Sequence, residues 1–293
     1  SAEKHFSVLI EDAKNRLENE KPVVIGINGC QGSGKSTLAA YLEARLSSEY
    51  RLCVANLSVD DFYLTKAGRS TLAEQVHPLL STRGVPGTHD IPLFQTVLDQ
   101  LCTAREGYVS IPRFDKSTDD RKPLEYWDKQ KLPVDIILLE GWCLGARAQT
   151  QEKLVAPIND LERNRDKAGQ WRAFVNKQLA TVYPSIFSKV DVWVMLKAPS
   201  FDSVFRWRLE QEQKLAKKLQ GSLQLQKSCR QALPGELMNA KDIATFVQHF
   251  QRLTEHILRD MPAWATHVYT LDENRKIIDE KHRTSNTGNP FRL

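Results

Sequence analysis

The chain has 293 residues, a net charge of +5 and a pI of about 8.9, with 41% hydrophobic and 26% charged residues. This is the profile of an ordinary globular protein, either one large α/β domain or one domain with a small lobe. The mild basic excess suits small anionic ligands and does not demand nucleic acid. No apolar run approaches a membrane span, and the opening Ser1–His5 lacks the apolar core of a secretory leader.

Residues 3–19 have the pattern of an amphipathic helix. Val23-Val24-Ile25-Gly26-Ile27 is apolar and β-branched, as a buried parallel strand requires. It runs into Gly29-Cys30-Gln31-Gly32-Ser33-Gly34-Lys35-Ser36, which fits G-x-x-x-x-G-K-[ST] at every specified position. Glycines let successive backbone N–H groups curl round a phosphate chain. In this reading Lys35 reaches the outer phosphates, the Ser36 hydroxyl ligates Mg²⁺, and Thr37 extends the site into the next helix. Leu38, Leu42 and Leu46 share one face of that helix. Cys30 reads as a small tolerated residue at an unspecified position of the loop.

A second strand is expected over 52–58, followed by Ser58-Val59-Asp60-Asp61-Phe62-Tyr63. On an extended segment Asp60 and Asp61 point apart, so one faces the phosphates and the other a substrate or the backbone. A phosphoryl transfer uses such a carboxylate to orient an acceptor hydroxyl and take its proton. Residues 78–92 are rich in turn formers and read as a surface loop. That loop carries Arg83, His89 and Asp90, and a second polar stretch carries Arg113, Asp115, Lys116 and Arg121. Guanidinium groups match carboxylates bidentately and aspartates suit hydroxyls, so the set fits an acceptor bearing both.

Leu93–Leu101 has helical spacing, and 108–112 reads as a short strand. Val134–Glu140 reads as a buried central strand ending in a carboxylate placed to help hold Mg²⁺ with Ser36. Residues 146–188 read as a helical, polar insertion, and 190–196 as a further strand. A charged helix over 201–219 opens a lid region, 201–238, and brings Arg206 and Arg208. Two apart, these do not share a face, so one can reach the γ-phosphate while the other pairs with an acid or the adenine. A helix over 240–259 turns Ile243, Phe246, Val247 and Phe250 inward, and 267–271 closes the sheet. Strands alternating with helices give a single α/β domain, mostly parallel and covered on both faces, of the P-loop NTPase kind. Ligands then sit beyond the carboxyl ends of the strands.

Cys30, Cys53, Cys102, Cys143 and Cys229 are scattered, odd in number and form no C-x-x-C. Neither a zinc site nor a disulfide framework is expected, and a reducing cytosol is the natural compartment. A guanine-specific switch needs Asn-Lys-x-Asp, and Asn176-Lys177-Gln178-Leu179 stops short of it.

Taken together, the phosphate loop, Ser58–Tyr63, Arg83–Asp90, Leu139–Gly145 and Phe205–Leu209 resemble the plant-type D-glycerate 3-kinase family and its fungal and bacterial kinase-like relatives. The resemblance runs from about Pro22 to Leu271. More distantly, the arrangement is similar to uridine kinase, pantothenate kinase and phosphoribulokinase. It implies transfer of the ATP γ-phosphate, with Mg²⁺, to the 3-hydroxyl of D-glycerate. By the Asp-x-Phe match it puts the acceptor-activating role on Asp60, and the second substrate loop on 112–121. Two departures stand out. Where the family tends to have Phe-Val-x-Arg-Tyr, this chain has Phe246-Val247-Gln248-His249-Phe250, and the stretch from Gln220 to Glu236 is longer. An acceptor other than glycerate (pantothenate, a nucleoside, another sugar acid), or an ATPase or assembly protein with no acceptor, is the alternative. Whatever the acceptor, Lys35→Ala is expected to abolish ADP release in a coupled assay. Turnover near the wild-type level would remove the phosphate-loop reading.

Overall fold

The computed structural model describes residues 2–17, 21–210, 240–283 and 289–292. In chain order the elements are α1 (Ala2–Asn15), β1 (Val23–Gly29), α2 (Lys35–Tyr50), β2 (Val54–Ser58), α3 (Lys66–Gln75) and α4 (Ile91–Thr103). Next come β3 (Tyr108–Ile111), β4 (Phe114–Asp115), β5 (Asp120–Arg121), β6 (Asp128–Lys131) and β7 (Ile136–Gly141). Four helices follow, α5 (Gln151–Val155), α6 (Asp160–Arg165), α7 (Gln170–Thr181) and α8 (Pro184–Phe187). The chain then forms β8 (Val192–Lys197), α9 over 201–210, α10 (Ala240–Asp260), β9 (His267–Leu271) and β10 (Ile277–His282).

Every residue of β1 and β7 is buried, which requires cover on both faces of the sheet. The six strands run in the order β10-β9-β8-β1-β7-β2, with β1 parallel to both neighbours. Alternate side chains divide the core in two. Val23, Ile25 and Ile27 point to a layer formed with α1, α2 and α9, through Leu9, Leu42, Leu46 and Trp207. Val24, Leu57, Ile137 and Leu139 point to the opposite layer, formed with α4, α8 and α10 through Phe94, Leu98, Ile186, Phe250 and Leu253.

The register brings the functional ends together. Ile27 of β1 and Ser58 of β2 both lie level with Glu140 of β7. The loops after β1, β2 and β7 therefore open at one edge. Asn28 fastens that edge, its side-chain amide donating to the carbonyls of Trp142 (3.1 Å) and Leu144 (2.7 Å).

Several expectations are corrected. Strand β9 does not close the sheet, because β10 pairs antiparallel outside it. Its Ile-Ile-Asp-Glu-Lys-His sequence lacks an apolar run because an edge strand keeps a wet face. Residues 58–63 are not extended, since Val59–Phe62 forms a 3₁₀ turn whose Asp60 N–H is capped by the Ser58 hydroxyl. Residues 78–92 are not a surface loop. Leu79, Leu80, Val85, Thr88 and His89 are buried, partly against Leu161, Trp171 and Val175 of the α6–α7 region. Strand β3 agrees with the short strand expected over 108–112, whereas α3, β6 and the β4–β5 ribbon carry no clear sequence period and form through tertiary pairing and packing. The N-terminal helix ends at Asn15. Lys214, Lys217 and Lys218, the stretch from Gln220 to Glu236, Cys229 and the lid beyond residue 210 lie outside the described residues.

The helices of 146–188 are not merely polar. Glu162 of α6 is fully buried and accepts from both Nε and an amino nitrogen of Arg252 at 2.7 Å, joining α6 to α10. Removing one partner of a buried pair leaves an uncompensated charge. Glu162→Ala is accordingly expected to lower unfolding stability by about 3 kcal/mol, seen as a lower urea midpoint at unchanged slope. An unchanged midpoint would show that the pair contributes nothing.

Candidate active site

The phosphate loop joins β1 to α2 as its pattern requires. Gly32 and Gly34 have φ of 78° and 94°, a left-handed backbone that side chains resist, and Gly34 is the N-cap of α2. A Cβ on Gly32 would meet Trp207 Cβ at 2.8 Å, so α9 packs directly on the loop. The α2 N-terminus, with its unpaired N–H groups and positive dipole end, faces the loop's mouth. Cys30 is buried and its thiol is pushed up to about 12 by that burial, so it stays protonated and inert.

Glu140, 6% exposed at the end of β7, receives the Ser36 hydroxyl at 3.1 Å on Oε1, and its Oε2 lies 3.9 Å from Lys35 Nζ. That second oxygen is buried without a hydrogen bond. A hydroxyl, a carboxylate oxygen awaiting a partner, and adjacent room for phosphates fit Mg²⁺, a cation that takes few protein oxygens and completes its shell with phosphate and water. Among the described residues no group of three or more His, Cys, Asp and Glu is placed to hold a metal by protein ligands alone.

Asp60 stands opposite. Its carboxylate receives Lys116 Nζ at 2.7 Å and the Tyr63 hydroxyl at 2.9 Å. Burial alone would raise its pKa, but the Lys116 and Lys35 ammonium groups and these hydrogen bonds outweigh it and hold Asp60 well below the usual carboxylate range. Burial and the neighbouring Asp60 charge push Tyr63 well above the phenol range, so it remains a donor. Between Asp60 and the phosphate loop lies a cavity of about 90 Å³. Gln31, Lys35, Asp60, Tyr63, Arg83, Lys116, Trp142, Arg208, Phe246 and Phe250 line it.

The remaining candidates divide. Asp61 faces away from Asp60, accepting from Phe114 N–H (3.0 Å) and Arg113 (2.6 Å), and burial raises its pKa. Arg113 also clasps Asp128. Asp90 caps α4 through Leu93 N–H and pairs with Arg121 at 3.0 Å, and Arg121 also donates to the Tyr63 carbonyl. Asp115 holds the turn at Ser117. These residues brace the cavity walls and do not line it. Of the two arginines of α9, Arg208 lines the cavity, whereas Arg206 pairs with exposed Glu273 at 2.8 Å. Position 249, where the family pattern has arginine, also lies apart. His249 lines a separate small cavity with Trp171 and Val175, and its Nδ1 meets the Phe246 carbonyl.

Sequence reasoning turned Phe246 and Phe250 inward but did not assign them to the site, and it singled out neither Trp142 nor Arg275. Trp142, Phe246 and Phe250 form the apolar wall. Arg275, in the β9–β10 turn, donates to the Gly32 carbonyl at 2.7 Å and lies 5.0 Å from the Trp207 ring centre. Their meeting at the site could not be read locally, because they converge from three distant segments.

This geometry is that of a P-loop kinase. No family model matches the chain. It is 35% identical over 209 residues to the uncharacterized kinase mug58 of Schizosaccharomyces pombe, covering 67% of this chain and 72% of that one. It is 31% identical over 283 residues to the probable ATP-dependent kinase TDA10 of Saccharomyces cerevisiae, covering 90% of each. To the chloroplastic D-glycerate 3-kinase of Arabidopsis thaliana it is 34% identical over 199 residues, but that match spans only 41% of the plant enzyme's length. Of solved structures, the YGR205w protein superposes with a TM-score of 0.75 at 28% identity, covering 95% of both chains. A D-glycerate 3-kinase from Cryptococcus neoformans shares the fold at a TM-score of 0.72 and 23% identity, covering 94% of this chain and 96% of that one. The chain therefore belongs to the family of P-loop kinases that includes the D-glycerate 3-kinases and the fungal kinases TDA10 and mug58.

His89 gives this site a pH signature. It is buried, stacks on Tyr63 at 4.6 Å and meets the Tyr183 hydroxyl at 2.6 Å through Nδ1. Burial lowers its pKa to about 4, so it is neutral in the folded protein at physiological pH. Between about pH 6.5 and 4 the unfolded chain binds a proton there that the folded chain does not, so stability falls as pH falls through that window. His89→Gln is expected to remove about 2 kcal/mol of this pH dependence, measured by urea unfolding at pH 7 and pH 4.5. An identical pH slope in the variant would show that His89 charges freely in the folded state.

Proposed function

We propose that this kinase uses Mg²⁺-ATP to phosphorylate a hydroxyl of a small hydroxy acid, with D-glycerate, giving 3-phosphoglycerate, as the leading acceptor. The observation that carries the reading is the single small cavity wall shared by Lys35 and Asp60. At roughly 90 Å³ the cavity favours an acceptor of few heavy atoms, such as glycerate, over the bulkier pantothenate or uridine. The Arabidopsis relative's activity points the same way. Because position 249 lies away from the cavity, the family's missing arginine does not count against glycerate.

In this reading the backbone N–H groups of 31–36 cradle the phosphates, and Lys35 bridges their outer oxygens. Ser36 and Glu140 would hold Mg²⁺, which when bound offsets phosphate charge. Asp60, ionised throughout the physiological range, orients the acceptor hydroxyl and takes its proton as the new O–P bond forms and the bond to ADP breaks. Tyr63 and Lys116 fix the carboxylate while it waits. Arg208, at the cavity edge, meets charge developing on the transferred group, and the aromatic wall keeps out water that would compete with the hydroxyl.

ADP release with and without D-glycerate, pantothenate, uridine and ribulose 5-phosphate tests the class. Release that depends on D-glycerate supports the proposal, and release independent of every acceptor overturns it. Asp60→Asn is expected to keep Mg²⁺-ATP affinity while lowering turnover by roughly 10²–10⁴. Turnover near wild type would take the proton-accepting role away from Asp60.

A further inference from the structure

Three arginines of the acceptor side, Arg83, Arg113 and Arg121, could in principle read an acceptor carboxylate, and the structure leaves one of them in place to do so. Arg113 spends its Nε and both amino groups on Asp128 and Asp61. Arg121 is held by Asp90 and the Tyr63 carbonyl, behind the cavity wall. Arg83 alone of the three lines the cavity.

Its surroundings aim it. One amino nitrogen of Arg83 bonds Asp119, a residue in the left-handed region at φ 55° that also binds the buried Arg69 through its carboxylate and carbonyl. One carboxylate thus serves two guanidinium groups, and the cavity around Arg83 is lined by Lys35, Lys116 and Arg208 against the single carboxylate of Asp60. The face of Phe114 lies 5.5 Å from the Arg83 guanidinium and limits its swing. The backbone is pinned as well. The Trp142 indole N–H donates to the Gly84 carbonyl at 2.9 Å, and Gly84 N–H donates to the Thr88 hydroxyl at 3.1 Å. Gly84 has φ 137°, and a Cβ there would overlap the Phe250 ring. Trp142 and Phe250, which line the cavity, therefore also clamp the chain beside Arg83. A guanidinium held on a rigid stem, with donors to spare and facing a cavity shared with Asp60, is organised to bind a planar anion.

We propose that Arg83 reads the charge of the acceptor: its guanidinium pairs with the acceptor's carboxylate, so the enzyme selects small hydroxy acids over neutral alcohols of the same shape. This rests on the hydroxy-acid reading of the cavity. Asp60 then handles the hydroxyl end and Arg83 the carboxylate end of one short molecule.

The test compares D-glycerate with its uncharged isostere D-glyceramide as acceptors at saturating Mg²⁺-ATP, in wild type, Arg83→Gln and Arg83→Lys. Melting temperature and the KM for Mg²⁺-ATP serve as controls. Wild type is expected to favour the acid. Arg83→Gln should lose about 10²-fold in kcat/KM for glycerate, mostly through KM, and change less than about threefold for glyceramide. Arg83→Lys should recover part of the preference, since it restores charge without the planar fork. If both variants keep the wild-type ratio of acid to amide, the Arg83 assignment is overturned while the kinase reading stands. If Arg83→Gln does not fold, the Arg83→Lys ratio decides alone: a preserved preference overturns the assignment and a weakened one supports it. A wild-type enzyme that uses neither compound, or prefers the amide, overturns the hydroxy-acid reading and the assignment with it. That outcome is visible before any variant is made.

Discussion

The parallel register of three strands is the constraint on which the site depends. Glu140 stands level with Ile27 on one side and Ser58 on the other, so three loops distant in sequence start from one line. A slip of one residue would turn every side chain of β7 to the opposite face. Such a slip would move Glu140, the one charged residue of β7, off its line with Ile27 and Ser58 and would exchange the side chains that fill the two core layers. The phosphate loop, the Asp60 turn and the Glu140 carboxylate are therefore positioned by hydrophobic packing. They are not positioned by attraction among themselves, which would be a poor guide for groups of mixed sign in partly wet surroundings.

Around that edge the charges fall into two sets. Arg113, Arg121, Asp61, Asp90 and Asp128 satisfy one another and stiffen the walls. Lys35, Asp60, Arg83, Lys116 and Arg208 border the open space. The first set makes the second rigid, which matters because phosphoryl transfer gains most from groups already oriented before the reaction. Asp60 shows the balance in one residue. Burial opposes its charge, two lysines restore it, and the outcome is an ionised group held ready in a confined place.

The alternation of strands and helices was legible because apolar runs and helical spacing are local properties, and the phosphate loop because its glycines and lysine are contiguous. The sheet edge was harder. Strand β10 has the polarity of a loop, and its pairing partner lies in β9. The buried course of 78–92 was hidden by its Gly, Pro and His content, whose polar groups are satisfied by distant partners such as Tyr183 and Trp142. At the site, Asp60, Lys35 and Arg83 could be named from the chain, but their separation from Arg113, Arg121 and Asp90 could not. Whether a charged loop residue lines a cavity or braces its wall depends on which counter-charge folds beside it.

By itself, the sequence determined the fold class, the phosphate loop and the chemical inventory of the acceptor side, because each is written in spacing over a few residues. Tertiary structure alone decided which charges meet. It placed Asp119 against two arginines and set Phe250 from the far end of the chain against Gly84. The physical reason is that periodicity fixes the face on which a side chain lies, whereas an ion pair requires two segments to arrive at the same point, and only the packed core brings them there.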